Sequence, residues 1–186
     1  QGLMSLLNDI LDMTKIEAGK MDLTEALVET DGLAQRLVGP MAAQAEAKAL
    51  RFTVEVVGEW PVLIRADVLR LAQISHNLLA NAIKFTPVGE VGLRLTGQRL
   101  ADGRLGFRLD VRDSGIGMTE TEIEIALTPF QQVNSAAKER GDGTGLGLPL
   151  TKALVEANKA QFHIDSIPGE GTMIEITFPA QRVLAH

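Results

Sequence analysis

The sequence predicts an α/β fold, because two kinds of apolar periodicity occur along it. Residues 68–85 repeat apolar side chains at helical spacing, whereas residues 51–57 and 104–112 alternate apolar with polar side chains, as half-buried strands do. The chain has 186 residues, of which 45% are hydrophobic, enough for one core and a short appendage. We therefore expect one domain at 21–186 and a helical segment at 1–20.

Composition narrows the classes of partner. The formal net charge is -6 and the sequence has no dense run of Lys or Arg, which argues against nucleic acid and anionic membrane. No apolar run approaches the roughly 18 residues that span a bilayer, so we expect a cytoplasmic chain without membrane contact. Cysteine is absent and the three histidines are widely spaced, so no disulfide or histidine metal site is expected. The expected ligand is a small molecule.

The first predicted helix, 3–18, has a wide apolar stripe and ends before Gly19. The stripe consists of Leu3, Leu6, Leu7, Ile10, Leu11, Met13 and Ile16. It is broader than a lone surface helix needs. We interpret residues 1–20 as the end of a helical bundle whose other helices lie upstream; the alternative is an ordinary first helix of the domain.

The next elements follow from local signals. A helix at 31–48 should be interrupted or bent near Gly39 and Pro40, because proline disrupts a helix interior. Alternation and turn residues then predict strands at 51–57, 61–65, 90–100, 104–112, 161–167 and 172–179, the last four paired in two hairpins.

Two further helices have recognisable N-termini. Asp67 is the expected N-cap of helix 68–85, since its carboxylate can accept a backbone N–H of the first turn. Thr119 and Glu122 have the spacing of a capping box, which predicts a short helix at 119–127.

Helix 68–85 carries a polar stripe. Asn77, Asn81 and Lys84 are spaced at i, i+4 and i+7, so they share one face. Asparagine is a poor helix former, so two in a helix interior call for a reason. Carboxamide oxygens are suitable ligands for Mg²⁺, and amide and ammonium groups donate to phosphate oxygens. The alternative is a solvent-exposed polar face.

The strand 104–112 ends abruptly at Asp113, and Gly115 and Gly117 follow it. An ionised carboxylate only accepts hydrogen bonds, which suits the exocyclic amine of a purine. The two glycines allow a flat ligand to approach the backbone closely. A plain hairpin turn is the alternative, and the second glycine cluster further along the chain counts against it.

That second cluster, 143–148, opens a helix that runs to about residue 158. A helix N-terminus offers backbone N–H groups and a positive dipole to an anion. The polar stretch at 131–144 precedes it, and a long loop of this kind is typically functional or disordered. We expect this loop to be a lid that nucleotide orders.

Four segments in this order resemble the N, G1, F and G2 boxes of sensor histidine kinases, a match far more specific than any single glycine motif. They are H-N-L-L-A-N-A-I-K-F-T (76–86), D-S-G-I-G-M (113–118), P-F-Q-Q (129–132) and G-T-G-L-G-L-P-L (143–150). The initial L-L-N-D-I-L-D-M-T-K-I-E-A-G (6–19) resembles the end of the second dimerisation helix of the same proteins. The tail P-L-T-K-A-L-V-E-A-N-K-A (149–160) is similar to that of cell-cycle kinases of the PleC, DivJ and DivL type.

The resemblance implies the two-layer α/β sandwich of the GHKL (Bergerat) superfamily, with helices on one face of a mixed sheet. It implies that Asn81 coordinates Mg²⁺ and that Asp113 recognises the adenine amine. The residues with implied catalytic roles are Asn77, Asn81 and Gln132. The implied nucleotide contacts are Asn77, Asn81, Lys84, Phe85, Asp113, Gly115, Gly117, Lys138, Arg140, Thr144, Gly145, Leu146, Gly147 and Leu148. Phe130 would anchor the lid.

The implied activity is transfer of the γ-phosphate of ATP to a histidine upstream of residue 1. None of the three histidines here, His76, His163 and His186, is followed by the acidic residue that marks the acceptor in the family. The implied partners are a response regulator or phosphotransfer protein, and a second copy of the protein that dimerises through the upstream helices.

Two departures and three alternatives accompany the resemblance. Asn158-Lys159-Ala160 stands where many relatives have His-Gly-Gly, and Pro149 follows the glycine box, so the geometry near the lid is expected to differ. A GHKL ATPase needs a glutamate in place of Asn77, because an amide cannot take the proton of water. The second alternative is a Ser/Thr kinase that binds sigma-factor regulators. It shares the fold, but the bundle-like N-terminus of this chain argues against it. A pseudokinase, acting as an interaction module, is the non-enzyme alternative.

Overall fold

A computed structural model describes residues 3–131 and 146–180 and the backbone of 183–184. These ranges contain six helices: α1 Leu3–Glu17, α2 Leu33–Val38, α3 Met41–Ala47, α4 Val68–Lys84, α5 Glu120–Ala126 and α6 Gly147–Ala157. They contain eight strands: β1 Ala26–Glu29, β2 Arg51–Gly58, β3 Leu63–Ala66, β4 Glu90–Arg99, β5 Leu105–Asp113, β6 Gln161–Ile167, β7 Gly171–Phe178 and β8 Val183–Leu184. Each helix and strand expected from the sequence is present, and the predicted break near Gly39 separates α2 from α3.

The main sheet has five strands in the order β2-β4-β5-β7-β6. β2 is parallel to β4, and all the other neighbours are antiparallel. The sheet is therefore mixed, as the resemblance implies.

One face of this sheet is apolar and is covered by helices. Its buried side chains are Val91, Leu93, Leu95, Phe107, Leu109, Val111, Ile174 and Ile176. The helix α4 contributes Ile74, Leu78 and Leu79 to the same core. The opposite face carries a row of charged residues, Arg94, Asp110 and Glu175, on three neighbouring strands. The predicted two-layer α/β sandwich is confirmed.

A second, small sheet was not predicted. It has the order β1-β3-β8, and both of its pairings are antiparallel. The strand β1 has only four residues, of which Val28 alone is buried, so no alternation was available to reveal it. Its pairing with β3 brings the segment after α1 close to the N-terminus of α4.

The helix α1 contacts α6 and leaves much of its apolar stripe exposed. Met13 and Ile16 pack against the core. The side chains of Leu3, Met4, Leu7 and Leu11 are 47–79% exposed. A polar contact joins α1 to α4, because Asp12 Oδ2 accepts a hydrogen bond of 3.1 Å from Gln73 Nε2. The division into 1–20 and 21–186 stays a prediction. In the described ranges, no helix is both long and apolar enough to cross a membrane.

Candidate functional site

The helix α4 is fixed at its N-terminus by Asp67. This buried carboxylate accepts the N–H of Arg70 at 3.2 Å as the predicted N-cap, and it also accepts the N–H of Thr24 at 3.0 Å. One side chain thus ties the helix to the segment before β1. The burial of the apolar face of α4 then sets the direction in which its polar stripe points.

The C-terminus of α4 is held by a lysine from another element. Lys48, the residue after α3, donates from Nζ to the carbonyl of Ile83 at 2.6 Å. An ammonium group is favourable there, because the last carbonyls of a helix are unpaired and lie at the negative end of its dipole. The last turn, which carries Asn81 and Lys84, is therefore anchored.

The predicted stripe of Asn77, Asn81 and Lys84 lies together on α4, and all three residues are half-buried. Within 3–131 and 146–180, neither asparagine carboxamide has a hydrogen-bond partner. A Cβ added at Gly147 would lie 3.5 Å from Asn81 Nδ2. Gly147, at the start of α6, therefore lies beside the stripe, within ordinary contact distance of Asn81.

Two further features of the second cluster fit an anion. The helix α6 starts at Gly147, and among the described residues no side chain caps its N-terminus. Leu146 is buried and Leu148 half-buried, so these residues anchor the start of the helix in the core. The first N–H groups of α6 therefore lie beside Asn81, where a phosphate group would be favoured.

Lys84 and Phe85 lie at the boundary between the stripe and the first glycine loop. The ammonium of Lys84 lies 5.3 Å from the centroid of the Phe85 ring, a cation–π distance. The backbone carbonyl of Phe85 accepts the N–H of Ile116 at 3.2 Å. The end of α4 is thus bonded directly to the loop that follows β5.

Asp113 lies at the end of β5, as predicted, and its carboxylate accepts the N–H of Gly115 at 2.9 Å. Burial raises the pKa of this carboxyl above its ordinary value, while the N–H groups of Gly115 and Thr172 and the nearby Thr86 hydroxyl oppose the rise. Thr86 Oγ is itself buried and has no partner of good hydrogen-bond geometry in the described ranges. The carboxylate acceptor and the Thr86 hydroxyl therefore lie side by side, which suits the amine-bearing edge of a purine.

The predicted glycines of this loop are required by close contacts. A Cβ at Gly115 would collide with the carbonyl oxygen of Phe85 and would approach Thr86 Oγ at 2.8 Å. Gly117 has a φ of +67°, and a Cβ there would collide with the carbonyl oxygen of Ile167. The loop is packed against α4 on one side and against the β6–β7 hairpin on the other.

The structure thus brings Asn77, Asn81, Lys84, Phe85, Asp113, Gly115, Gly117, Leu146, Gly147 and Leu148 to one region around the C-terminal half of α4. The remaining predicted contacts, Gln132, Lys138, Arg140, Thr144 and Gly145, lie outside the described residues, as does most of the expected lid. Phe130 is described and is 66% exposed; its role as a lid anchor stays a prediction.

The described residues also bear on the implied metal. They include no group of three or more His, Cys, Asp or Glu side chains arranged to hold an ion. Mg²⁺ in nucleotide sites is typically held by one or two protein ligands together with phosphate oxygens and water. An unpaired carboxamide at Asn81, beside the start of α6, fits that kind of site.

Sequence reasoning missed Lys48, Thr86 and Ser166, which all support this region. Thr86 ends the N-box segment and could have been noticed there. Lys48 contacts residue 83, and Ser166 contacts residue 118. No local pattern signals contacts between residues so far apart in the chain.

The chain matches the family model of histidine kinase-, DNA gyrase B- and HSP90-like ATPases over residues 66–182. It is 45% identical over 191 aligned residues to the cell-division control histidine kinase PdhS of Brucella anthropi, an alignment that covers 98% of this chain. This chain spans only 18% of the length of that relative.

Two solved structures are similar to this chain. Full-length ShkA in complex with AMPPNP is similar with a TM-score of 0.79 at 30% identity, over 99% of this chain and 37% of that chain. The histidine kinase AdeS of Acinetobacter baumannii shares the fold with a TM-score of 0.72 at 17% identity, over 96% of this chain and 78% of that chain.

The matched range 66–182 contains α4, the loop after β5, the start of α6 and the β6–β7 hairpin, which together build the site described above. The predicted relationship to histidine kinases is confirmed by the relatives that bear that name. This chain belongs to the family of histidine kinase-, DNA gyrase B- and HSP90-like ATPases.

Proposed function

We propose that this chain is the ATP-binding catalytic domain of a histidine kinase, and that it transfers the γ-phosphoryl group of Mg-ATP to a histidine upstream of residue 1. One observation carries the proposal: α4 meets both the glycine loop after β5 and the start of α6. Gly147 faces Asn81, and the carbonyl of Phe85 binds the N–H of Ile116. A nucleotide is the ligand whose base and phosphates need two such loops at a fixed separation.

Each part of the site has a chemical task in this proposal. Asp113 accepts a hydrogen bond from the exocyclic amine of adenine. Asn77, Lys84 and the first N–H groups of α6 bind phosphate oxygens, and Asn81 is the ligand for Mg²⁺. When bound, Mg²⁺ would neutralise negative charge on the phosphates. The chain thus contributes positioning and charge stabilisation, which is the main demand of phosphoryl transfer.

In the transfer step, the bond between the γ-phosphorus and its bridging oxygen breaks and a bond to an imidazole nitrogen forms. ADP leaves with the bridging oxygen. Hydrolysis is disfavoured because the carboxamide of Asn77 cannot act as a base toward water.

The described histidines support an acceptor outside this chain. His76 packs against Gly39, where an added Cβ would lie 2.6 Å from His76 Nε2. His163 lies on β6 and contacts Asp165 at 3.0 Å. His186 lies outside the described residues. Neither described histidine faces the stripe on α4.

The proposed partners follow from the proposed kinase function. The exposed apolar residues of α1 suit a helical bundle made with upstream helices and a second copy of the protein. The phosphorylated histidine then passes its phosphoryl group to a response regulator or phosphotransfer protein. The name of the Brucella relative supports a role in cell-division control. We place the chain in the cytoplasm, where ATP is available.

Two measurements test the proposal. Calorimetry of this chain should show binding of Mg-ATP and Mg-ADP, and an absence of any nucleotide affinity would reject it. Incubation with labelled ATP and Mg²⁺ should leave this chain unlabelled, whereas a longer chain that includes the preceding helices should carry an acid-labile label. Label mapped to His76, His163 or His186 would show that the acceptor assignment is wrong.

A further inference from the structure

The turn of the β6–β7 hairpin contacts the loop at 114–118 that follows β5. The N–H of Gly169 donates to the carbonyl of Ile116 at 2.7 Å. The N–H of Met118 donates to Ser166 Oγ at 2.8 Å. The loop is therefore bonded on both sides of Gly117 by a hairpin that lies about 50 residues away in the sequence.

Ser166 is the polar centre of this contact. Its hydroxyl donates to the carbonyl of Gly171 at 3.1 Å and lies 2.7 Å from Thr172 Oγ. Because a serine hydroxyl has one proton and two lone pairs, Thr172 donates to Ser166 in this arrangement. With Met118 as the other donor, the hydroxyl of Ser166 makes all three of its hydrogen bonds.

Two glycines allow the hairpin and the loop to touch. A Cβ at Gly117 would collide with the carbonyl of Ile167, and a Cβ at Gly171 would collide with the carbonyl of Asp113. The hairpin backbone thus lies against the backbone of the residue that carries the base-recognising carboxylate. A shift of the hairpin would move Asp113.

We propose that Ser166 is a positioning residue for adenine recognition: it fixes the loop at 114–118 and thereby sets the direction of the Asp113 carboxylate. Ser166 acts through Met118 and Thr172 and does not contact the base. The inference rests on the proposed ATP binding, and it adds the terminal hairpin to the elements that decide which nucleotide is bound.

A positioning role differs from a purely structural role in what it changes. A loosened loop weakens the directed hydrogen bond between Asp113 and the adenine amine. Phosphate binding by Asn81 and α6 is untouched. Loss of the Ser166 hydroxyl should therefore reduce the preference for ATP over purine riboside triphosphate, which lacks the exocyclic amine. A general loss of fold would weaken the binding of both nucleotides equally.

The experiment compares Ser166→Ala with Ser166→Thr, which retains the hydroxyl, and with Thr177→Ala, which removes an exposed hydroxyl from β7. Calorimetry measures the affinity of each for the two triphosphates, and urea unfolding measures stability. We expect Ser166→Ala to lose about fivefold in ATP affinity, the factor that corresponds to one ordinary hydrogen bond. Its preference for ATP should fall by the same factor. Ser166→Thr and Thr177→Ala should resemble the wild type.

Other outcomes overturn the inference. An unchanged preference in Ser166→Ala, or equal losses for both triphosphates, would reject Ser166 as a positioning residue while leaving ATP binding intact. If the wild type binds neither triphosphate, the proposed function itself fails. Should Ser166→Ala not fold, Thr172→Val removes the donor to Ser166 and should lower the same preference about twofold; an unchanged preference there would also reject the inference.

Discussion

The two sides of the proposed nucleotide site are built differently. On the base side, the loop at 114–118 is held by the backbone: the N–H groups of Ser114, Gly115, Ile116 and Met118 each donate to an acceptor within 3.2 Å. On the phosphate side, the carboxamides of Asn77 and Asn81 have no hydrogen-bond partner in the described ranges. One side is fixed by the protein, and the other presents polar groups for a ligand.

This difference matches what the two halves of a nucleotide require. Selection of a base depends on the direction of a few hydrogen bonds, so the acceptor at Asp113 must be held in advance. Phosphates and a divalent ion are bound mainly by charge and by exchangeable polar ligands. The helix α4 can therefore carry unpaired amides there, at a cost in stability that a ligand offsets.

The largest effect is expected at the fixed side. Gly115→Ala would push a Cβ into the carbonyl of Phe85. Overpacking of this kind costs ~1–3 kcal/mol, and we expect a value near the upper end. ATP binding should therefore weaken about 100-fold. Gly106→Ala, on the strand β5 that precedes this loop, is the control, because a Cβ there would make only an ordinary contact of 3.6 Å with the Leu100 side chain. Calorimetry should find ATP binding unchanged in the control; equal losses in both variants would show that the contact at Gly115 is not what matters.

On the phosphate side, function and stability should separate. Asn81→Ala should lower Mg-ATP affinity about 30-fold, since a charge-assisted contact is worth ~2 kcal/mol. Its free energy of unfolding should stay unchanged or rise by less than ~1 kcal/mol, because alanine is the better helix former. Asn8→Ala, at an exposed asparagine of α1, is the matched control for the helix effect. A marked loss of stability in Asn81→Ala would contradict the contrast between the two sides.

Asp113→Asn tests the base side without a steric change. It replaces an acceptor with a group that can also donate, so ATP affinity should fall about tenfold, or ~1.4 kcal/mol. The preference for ATP over GTP should fall with it. Competition binding measures both quantities, and an unchanged preference would remove Asp113 from base recognition.

The same carboxyl should give the site a pH dependence. Its pKa is raised above the ordinary 3.8 by burial, so the folded state binds more protons than the unfolded state between the two pKa values. Stability therefore falls as pH rises through that interval and is level above it. ATP affinity, which needs the ionised form, should fall as pH is lowered through the raised pKa. In Asp113→Asn both dependences should be weaker, which urea unfolding and calorimetry across pH 3–7 can check.

The sequence supports strong predictions wherever a pattern is local. The alternation of β5 located Asp113 at a strand end, and helical spacing put Asn77, Asn81 and Lys84 on one face of α4. The four-residue β1 and the two-residue β8 are too short to show alternation, so the small sheet was missed. Lys48 and Ser166 were missed because their partners are 35 and 48 residues away. Long-range hydrogen bonds leave no periodic trace in a sequence.

The smallest effect is expected where the two sides meet, at the end of α4. Lys48 Nζ donates to the carbonyl of Ile83 at 2.6 Å, two residues before Phe85, whose carbonyl holds the base-side loop. Lys48→Met keeps the aliphatic stem but removes the charge, so the free energy of unfolding should fall by ~1 kcal/mol.

Lys48 holds the helix end that both sides share. Lys48→Met should therefore weaken the binding of ATP and of GTP by the same factor of about two, which corresponds to a small part of the free energy of one hydrogen bond. Lys20→Met, at an exposed lysine after α1, controls for the loss of one positive charge. Urea unfolding and competition binding give the two readouts. A change in the ATP preference of Lys48→Met would mean that the helix end steers the base-side loop, and the contrast between a fixed side and an open side would then have to include α4 itself.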